Sequence, residues 1–386
     1  MKTILKNATF YLDGSSKVDN GAMIIEDGLI SAVIDLADLK EDEKAEIIDL
    51  DNANVLPGFI DSHIHGAVNH DAINGGAEVI DAISTNVVKD GCTAFLASLT
   101  VVSHQDTLNI LKSYKDLDIK QNGADFLGVH AEGPYLSQEY KALMDERYLR
   151  DPSINELSEM IQAAGDKLVS MTIAPELNGM EGFIKALKQH NITTMIGHSA
   201  ANAQQVLKAL SYGADGFTHL YNANSQHLHR EPGVVTGAFL DDNSFCELIC
   251  DGFHIADDVI RMTYKYLTSK RIVIITDAML GKGMPDGEFV FSNLLCQKEK
   301  THVWVKETGR RAGSAFGMID AVNYLIATVG CNLNDIVQMT AVNPAILIKA
   351  TNKGRLYPNM DADLCVLDKD NQVKATFVRG RLVYQR

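Results

Sequence analysis

From residue 55 onward, short apolar runs rich in β-branched residues alternate with amphipathic stretches. The runs "VLPGFIDSHIH", "TAFLASLT", "DFLGVHAEG", "KLVSMTIAPE", "ITTMIGHS", "GFTHLYN", "FCELICDGFH" and "RIVIITDA" begin near residues 55, 93, 125, 167, 192, 216, 245 and 271. Segments such as "ANAQQVLKALSYGA" and "ADDVIRMTYKYLTSK" repeat apolar positions with helical spacing between them. Eight strands alternating with helices predict a (β/α)8 TIM-type barrel. A doubly wound sheet is the alternative, but the Gly-rich loop expected after its first strand is missing. Helices are expected over roughly 316–330 and 333–349. Both chain ends have a different texture, with short β-like runs broken by turns, such as "ATFYLDG" and "DADLCVLDKDNQVKATFVRGRLVYQ". The expected division is therefore a small β-sandwich from 1–54 and 350–386, and a barrel over 55–349.

Composition narrows the function. The 386 residues are 46% apolar and 22% charged, enough for a large core, and the formal charge is −15. That balance argues against a nucleic-acid or anionic-membrane surface, since both need basic footprints. A small phosphorylated molecule held by one or two placed arginines remains compatible. No window approaches a membrane span, and "MKTILKNATFYLDGSSKV" has no apolar signal core. The six cysteines form no C-x-x-C pair and read as reduced core thiols. A cytoplasmic protein is expected.

The strand endings carry the chemistry. In "DSHIH", His63 and His65 are two residues apart and would share one strand face, with Asp61 on the same side. The third run ends in Glu132, the fifth in His198, the sixth in His219 and the eighth in Asp277. Taken singly, each has a plainer reading: His198 or His219 as a hydrogen-bonded barrel histidine, Asp277 as a helix cap, Glu132 as a turn residue. Together they place metal-ligand types at five of eight strand ends, where barrels gather their active sites. Imidazole and carboxylate suit Zn or Fe(II). One or two such ions would activate a hydroxide for attack on a carbonyl, with Asp277 moving the proton. His130 shares a face with Glu132 one layer deeper and is expected to pack or support. His70, His104, His190, His227, His229 and His302 fall in loop or helix contexts and receive no role.

The motifs "PGFIDSHIHG", "HAEGPYL", "IGHSAA", "THLYNA", "HREPGVVTGA", "DGFHI", "ITDAM", "KGMPDGEF" and "AVNPA" resemble, in order and nearly end to end, those of the N-acetylglucosamine-6-phosphate deacetylase family of the amidohydrolase superfamily. The resemblance implies removal of acetate from a 2-acetamido sugar phosphate. It implies Glu132, His198 and His219 on a main metal, His63 and His65 on a second one bridged by Glu132, and Asp277 as acid/base. It also implies Asn222, Ala223, Arg230 and His254 on the sugar phosphate, with Arg230 supplied by the second subunit of a homodimer. Departures fall on substrate contacts. Leu143 and Met144 stand where the family has Gln or His, Asn224 where methionine is common, and "RAGS" (Arg311, Ala312, Gly313, Ser314) has arginine in place of leucine at the acetyl end. The expected substrate is N-acetylglucosamine-6-phosphate, with N-acetylgalactosamine-6-phosphate as the near alternative. A cyclic-amide or nucleobase hydrolase would put a lysine at the end of the fourth strand, which reads "TIAPE" here. A silent sugar-phosphate sensor would be expected to lack a ligand or Asp277.

Overall fold

A computed structural model describes residues 2–40, 42–117, 122–291 and 294–386. Eight strands, Phe59–Ile64, Cys92–Leu99, Asp125–Glu132, Leu168–Ile173, Thr193–Ile196, Gly216–Phe217, Phe245–Ile249 and Ile272–Ile275, pair in chain order, each parallel to the next. Nearly every strand position is buried, as parallel strands covered on both faces require. The seam between the eighth and first strands closes at the mouth. There the Asp277 N–H donates to the His63 carbonyl (2.9 Å) and the His65 N–H to the Ala278 carbonyl (2.8 Å). The architecture is a (β/α)8 barrel with a small β-sandwich built from both chain ends.

The helices form where the periodicity placed them. Ala203–Tyr212 opens on a reciprocal cap between Asn202 and Gln205 and buries Ala203, Val206 and Ala209 against the barrel. Asp257–Arg271 buries Ile260, Thr263 and Leu267. The expected helix over 316–330 is Met318–Tyr324 running into a π-turn, Leu325–Val329. That over 333–349 is Leu333–Val337 and Asn343–Leu347, joined by a second π-turn. Among the described residues no helix is long and apolar enough to cross a membrane.

The chain ends share one seven-stranded sheet in which Glu46–Pro57 lies between Lys2–Tyr11 and Leu364–Leu367. Val55–Pro57, read from sequence as the start of the first barrel strand, instead pair with Leu364–Val366. Bulges at Lys6–Ala8 and Ala8–Phe10 bend the sheet over its own core of Leu5, Phe10, Met23, Val366 and Phe377. Lys353 pins this unit to the bottom of the barrel. Its buried ammonium reaches Asp125 (2.8 Å), Asp361 (2.9 Å) and Asp363 (2.6 Å).

One element had no counterpart in the sequence reading. After the eighth strand, Gly287–Phe291, Leu294–Glu299, His302–Val305 and Arg311–Ser314 form a four-stranded antiparallel sheet over the mouth. His302, expected in a loop or helix, is therefore a strand residue.

Candidate active site and metal centre

The mouth of the barrel collects the six candidate ligands. His63 lies within the first strand, His65 just past its end, and Glu132 closes the third strand. His198, His219 and Asp277 each sit two residues beyond a strand end, after Ile196, Phe217 and Ile275. These three have φ of 49°, 29° and 47°, a left-handed backbone that costs a non-glycine residue about 1–3 kcal/mol. Such strain persists only where the surroundings impose it, and here it turns three side chains inward at one level. Gly197 lets the fifth strand come close enough, since a Cβ there would meet the Thr218 Cβ at 2.7 Å.

The side chains fall into two groups of ligand atoms: Glu132, His198 and His219, and His63, His65 and Asp277. Glu132 Oε1 lies 3.0 Å from His198 Nε2 and 2.9 Å from His219 Nε2. Its Oε2 lies 3.3 Å from His65 Nε2, so one carboxylate spans both groups. Asp277 Oδ1 is 3.2 Å from His65 Nε2 and 3.6 Å from His63 Nε2.

Tautomers decide what these contacts can be. His65, His198 and His219 each donate their Nδ1 hydrogen to a backbone carbonyl, of Ser98 (3.0 Å), Tyr140 (2.8 Å) and Asn222 (3.1 Å). Every neutral ring therefore presents a lone pair at Nε2, aimed at carboxylate oxygens. His63 and His65 also bring their Nε2 atoms within 3.2 Å of each other. Lone pairs facing lone pairs need positive charge between them, and this donor set fits a divalent cation. Without an ion, protons drawn onto the imidazoles at Nε2 meet the same demand for positive charge. Burial opposes ionisation of Asp277, but the His65 hydrogen bond and the neighbouring imidazoles outweigh it and hold the carboxyl at about 2. Glu132 is likewise held low against burial by His63 and His198, and Glu132 lifts His219 to about 9 against its burial.

Supporting residues surround the centre. His130 donates to or accepts from Ser98 (3.0 Å) and Thr172 (2.7 Å), packs edge-on to His63, and is kept neutral chiefly by burial. Asp61 belongs to neither ligand group. Its carboxylate accepts from the Thr276 hydroxyl (2.5 Å) and backbone (3.3 Å), and burial pushes its pKa up to about 6. Sequence reasoning passed over Glu247. This buried carboxylate in the seventh strand accepts from Ser62 (3.0 Å) and faces His63 Nδ1 at 3.5 Å. Its signal was a charged residue inside the apolar run "CELIC". The other acidic group, Asp125 with Asp361 and Asp363, already holds Lys353 and Arg379 at the opposite end of the barrel.

Above the ligands opens a cavity of about 740 Å³, within the range of small-molecule sites. Leu143, Met144, Asn222, Ala223, His254, Arg311, Ala312 and Gly313 all line it. Asn222 Nδ2 is buried there with no partner among the described residues, an amide donor waiting for an acceptor. His254 donates Nδ1–H to Asp251 (2.7 Å) and keeps Nε2 for the cavity. Two expected contacts lie elsewhere. Ser314 is behind the wall, its hydroxyl donated to the Thr276 carbonyl (2.6 Å). Arg230 is at the exposed tip of a loop closed by the His227–Pro232 bridge, away from its own cavity, and makes no ion pair with Glu231.

Comparison with known proteins places the chain in a family. The amidohydrolase family pattern matches residues 54–383. The chain is 33% identical over 334 residues to an N-acetylglucosamine-6-phosphate deacetylase of Lysinibacillus sphaericus, covering 86% of both chains. It is 30% identical to an N-acetylgalactosamine-6-phosphate deacetylase of Escherichia coli O157:H7, covering 95% of both. Among solved structures it resembles an N-acetyl-D-glucosamine-6-phosphate deacetylase variant from Mycobacterium smegmatis in complex with N-acetyl-D-glucosamine-6-phosphate, with a TM-score of 0.92, 27% identity and full coverage of both chains.

Proposed function

The chain belongs to the amidohydrolase family and, within it, to the N-acetylglucosamine-6-phosphate deacetylases, and from that premise we propose that it releases acetate from N-acetylglucosamine-6-phosphate. It is a hydrolase acting on an amide. The observation that carries the finer reading is the ring of Nε2 lone pairs around Glu132, with Asp277 beside it at the cavity floor.

Glu132, His198 and His219 would hold one divalent ion, and His63, His65 and Asp277 a second, with Glu132 between them. Nitrogen and oxygen donors suit zinc or iron. When bound, the metal supplies a Lewis acid that polarises the amide carbonyl and acidifies a water. Asp277 Oδ1 takes the proton from that water and returns it to the sugar nitrogen as the C–N bond breaks, which frees acetate and an amine. Asn222 donates to the sugar phosphate, and Ala223 and His254 orient the sugar. Ala312 and Gly313 close the wall beside Asp277. Leu143 and Met144 present an apolar face, with the Met144 sulfur fixed by the Val101 N–H (3.5 Å). We take the enzyme to be a homodimer that brings Arg230 to the neighbouring cavity, and place it in the cytoplasm, where its six buried, unpaired thiols stay reduced.

The 30% identity to an N-acetylgalactosamine-6-phosphate deacetylase favours a second reading, in which the epimer is the better substrate. Acetate release from both epimers by metal-loaded enzyme separates the two. Loss of about 10³-fold or more in kcat is expected for Asp277→Asn. A metal-loaded wild type that releases acetate from neither sugar defeats both readings.

A further inference from the structure

The four-stranded sheet over the mouth places Arg310 and Arg311 side by side on the cavity wall. The chain holds 50 carboxylates against 35 lysines and arginines, so an arginine has acids in excess to pair with. Among the described residues neither guanidinium takes an ion pair or a side-chain hydrogen bond.

Arg311 is nevertheless fixed. Its guanidinium carbon lies 4.4 Å from the centre of the Phe253 ring. His302 stacks on the same ring at 4.3 Å, with planes 10° apart. Phe253 is thus in contact with both groups. A guanidinium held over a ring by its cation–π attraction spends no N–H donor on that contact, and its donors match an oxyanion bidentately. Arg310, beside Arg311 on the cavity wall, adds positive field.

The strand carrying Arg311 is also docked on the reacting centre. At Gly313 (φ 60°) a Cβ would meet the Asp277 carbonyl at 2.8 Å, and the Ser314 N–H donates to that carbonyl (2.9 Å). Arg311 is two residues back, roughly 7 Å along the strand. That short span keeps the guanidinium and the reacting amide on one small molecule.

We propose that Arg311, held over the Phe253 ring, grips an oxyanion of the substrate and so sets specificity for a charged sugar derivative. The inference rests on the amide-hydrolase reading of the site. Phosphate and carboxylate offer a guanidinium the same pair of oxygens, so the anion is either the sugar phosphate or a carboxylate on the acyl group.

The test uses the chain's single tryptophan. Trp304 is the cross-strand partner of Arg311, and paired residues project to the same face. Metal-loaded wild type, Arg311→Ala and Arg311→Lys are titrated with inorganic phosphate and with succinate, following Trp304 fluorescence. Saturable binding of at least one anion is expected in the wild type, weakened about tenfold or more in Arg311→Ala and less in Arg311→Lys. Kinetics identify the source. If phosphate is gripped, Arg311→Ala raises KM for N-acetylglucosamine-6-phosphate about tenfold with kcat within about threefold, and preference over N-acetylglucosamine falls by the same factor. If an acyl carboxylate is gripped, preference for N-succinylglucosamine over N-acetylglucosamine falls instead. Anion binding and all preferences unchanged in Arg311→Ala overturn the proposal. A wild type that binds anions through Arg311 yet releases no acetate defeats the proposed substrate and leaves the residue's role standing.

Discussion

Asp61 shares a strand with the candidate ligand His63 but turns to Thr276, and burial raises its carboxyl to about 6. The ordinary value is about 3.9, so the folded chain binds this proton more tightly than the unfolded one. The stability it contributes is fully present below about pH 4, is lost as pH rises through about 6, and is flat above that. Asp61→Asn removes the charge and retains an acceptor for Thr276. In metal-free protein, urea unfolding between pH 4 and 7.5 is expected to show the variant gaining on the wild type by up to about 3 kcal/mol as pH rises. Parallel wild-type and variant profiles would show that Asp61 titrates normally. A single residue also marks the limit of the sequence reading. Asp61 and His63 both fit the two-residue strand rule, yet only His63 reaches the ligand group, because the eighth strand offers Asp61 the Thr276 hydroxyl first.

Elements act through the loops that leave them. Glu176, past the fourth strand, accepts from the Ser199 hydroxyl (2.7 Å) and the Ala200 N–H (2.6 Å), just after strained His198. Where the rival hydrolases would need a lysine, this chain has a brace for the adjoining loop. Glu176→Ala removes both anchors. It should weaken metal binding about 10- to 100-fold, the usual effect of losing support behind a ligand, as measured by chelator competition on folded protein. Wild-type affinity would mean that the strand ends hold His198 unaided. The barrel strands were legible because burial on both faces leaves unbroken apolar runs, against which a terminal His, Glu or Asp stands out. The sheet over the mouth was not. Its strands are half-exposed, and "LLCQKE" mixes apolar with charged positions. Glu247 was hidden differently, inside an apolar run taken whole, although a buried mid-strand carboxylate was itself the signal.

At the scale of the molecule, an apolar surface remains unaccounted for in a single chain. Leu240, Met262 and Tyr266 are 59%, 55% and 61% exposed. Met262 and Tyr266 share one face of Asp257–Arg271 at i, i+4, and Tyr266 packs on Phe239 beside Leu240 at 5.1 Å. Leu228, 52% exposed, lies in the loop whose tip carries Arg230. Contiguous exposed apolar side chains mark an association surface, and a second copy is the occupant that would give Arg230 a purpose. Sedimentation at micromolar concentration should find a dimer. Met262→Glu with Tyr266→Glu should yield folded monomers, because two buried, unpaired carboxylates oppose the interface. Arg230→Ala should leave the dimer intact. Both changes are expected to raise KM for the phosphorylated sugar about tenfold, since each withdraws the same guanidinium from the neighbouring cavity. Monomers that keep the wild-type KM would mean that each barrel grips its substrate alone, and Arg311 would then be the only arginine of the two left to do it.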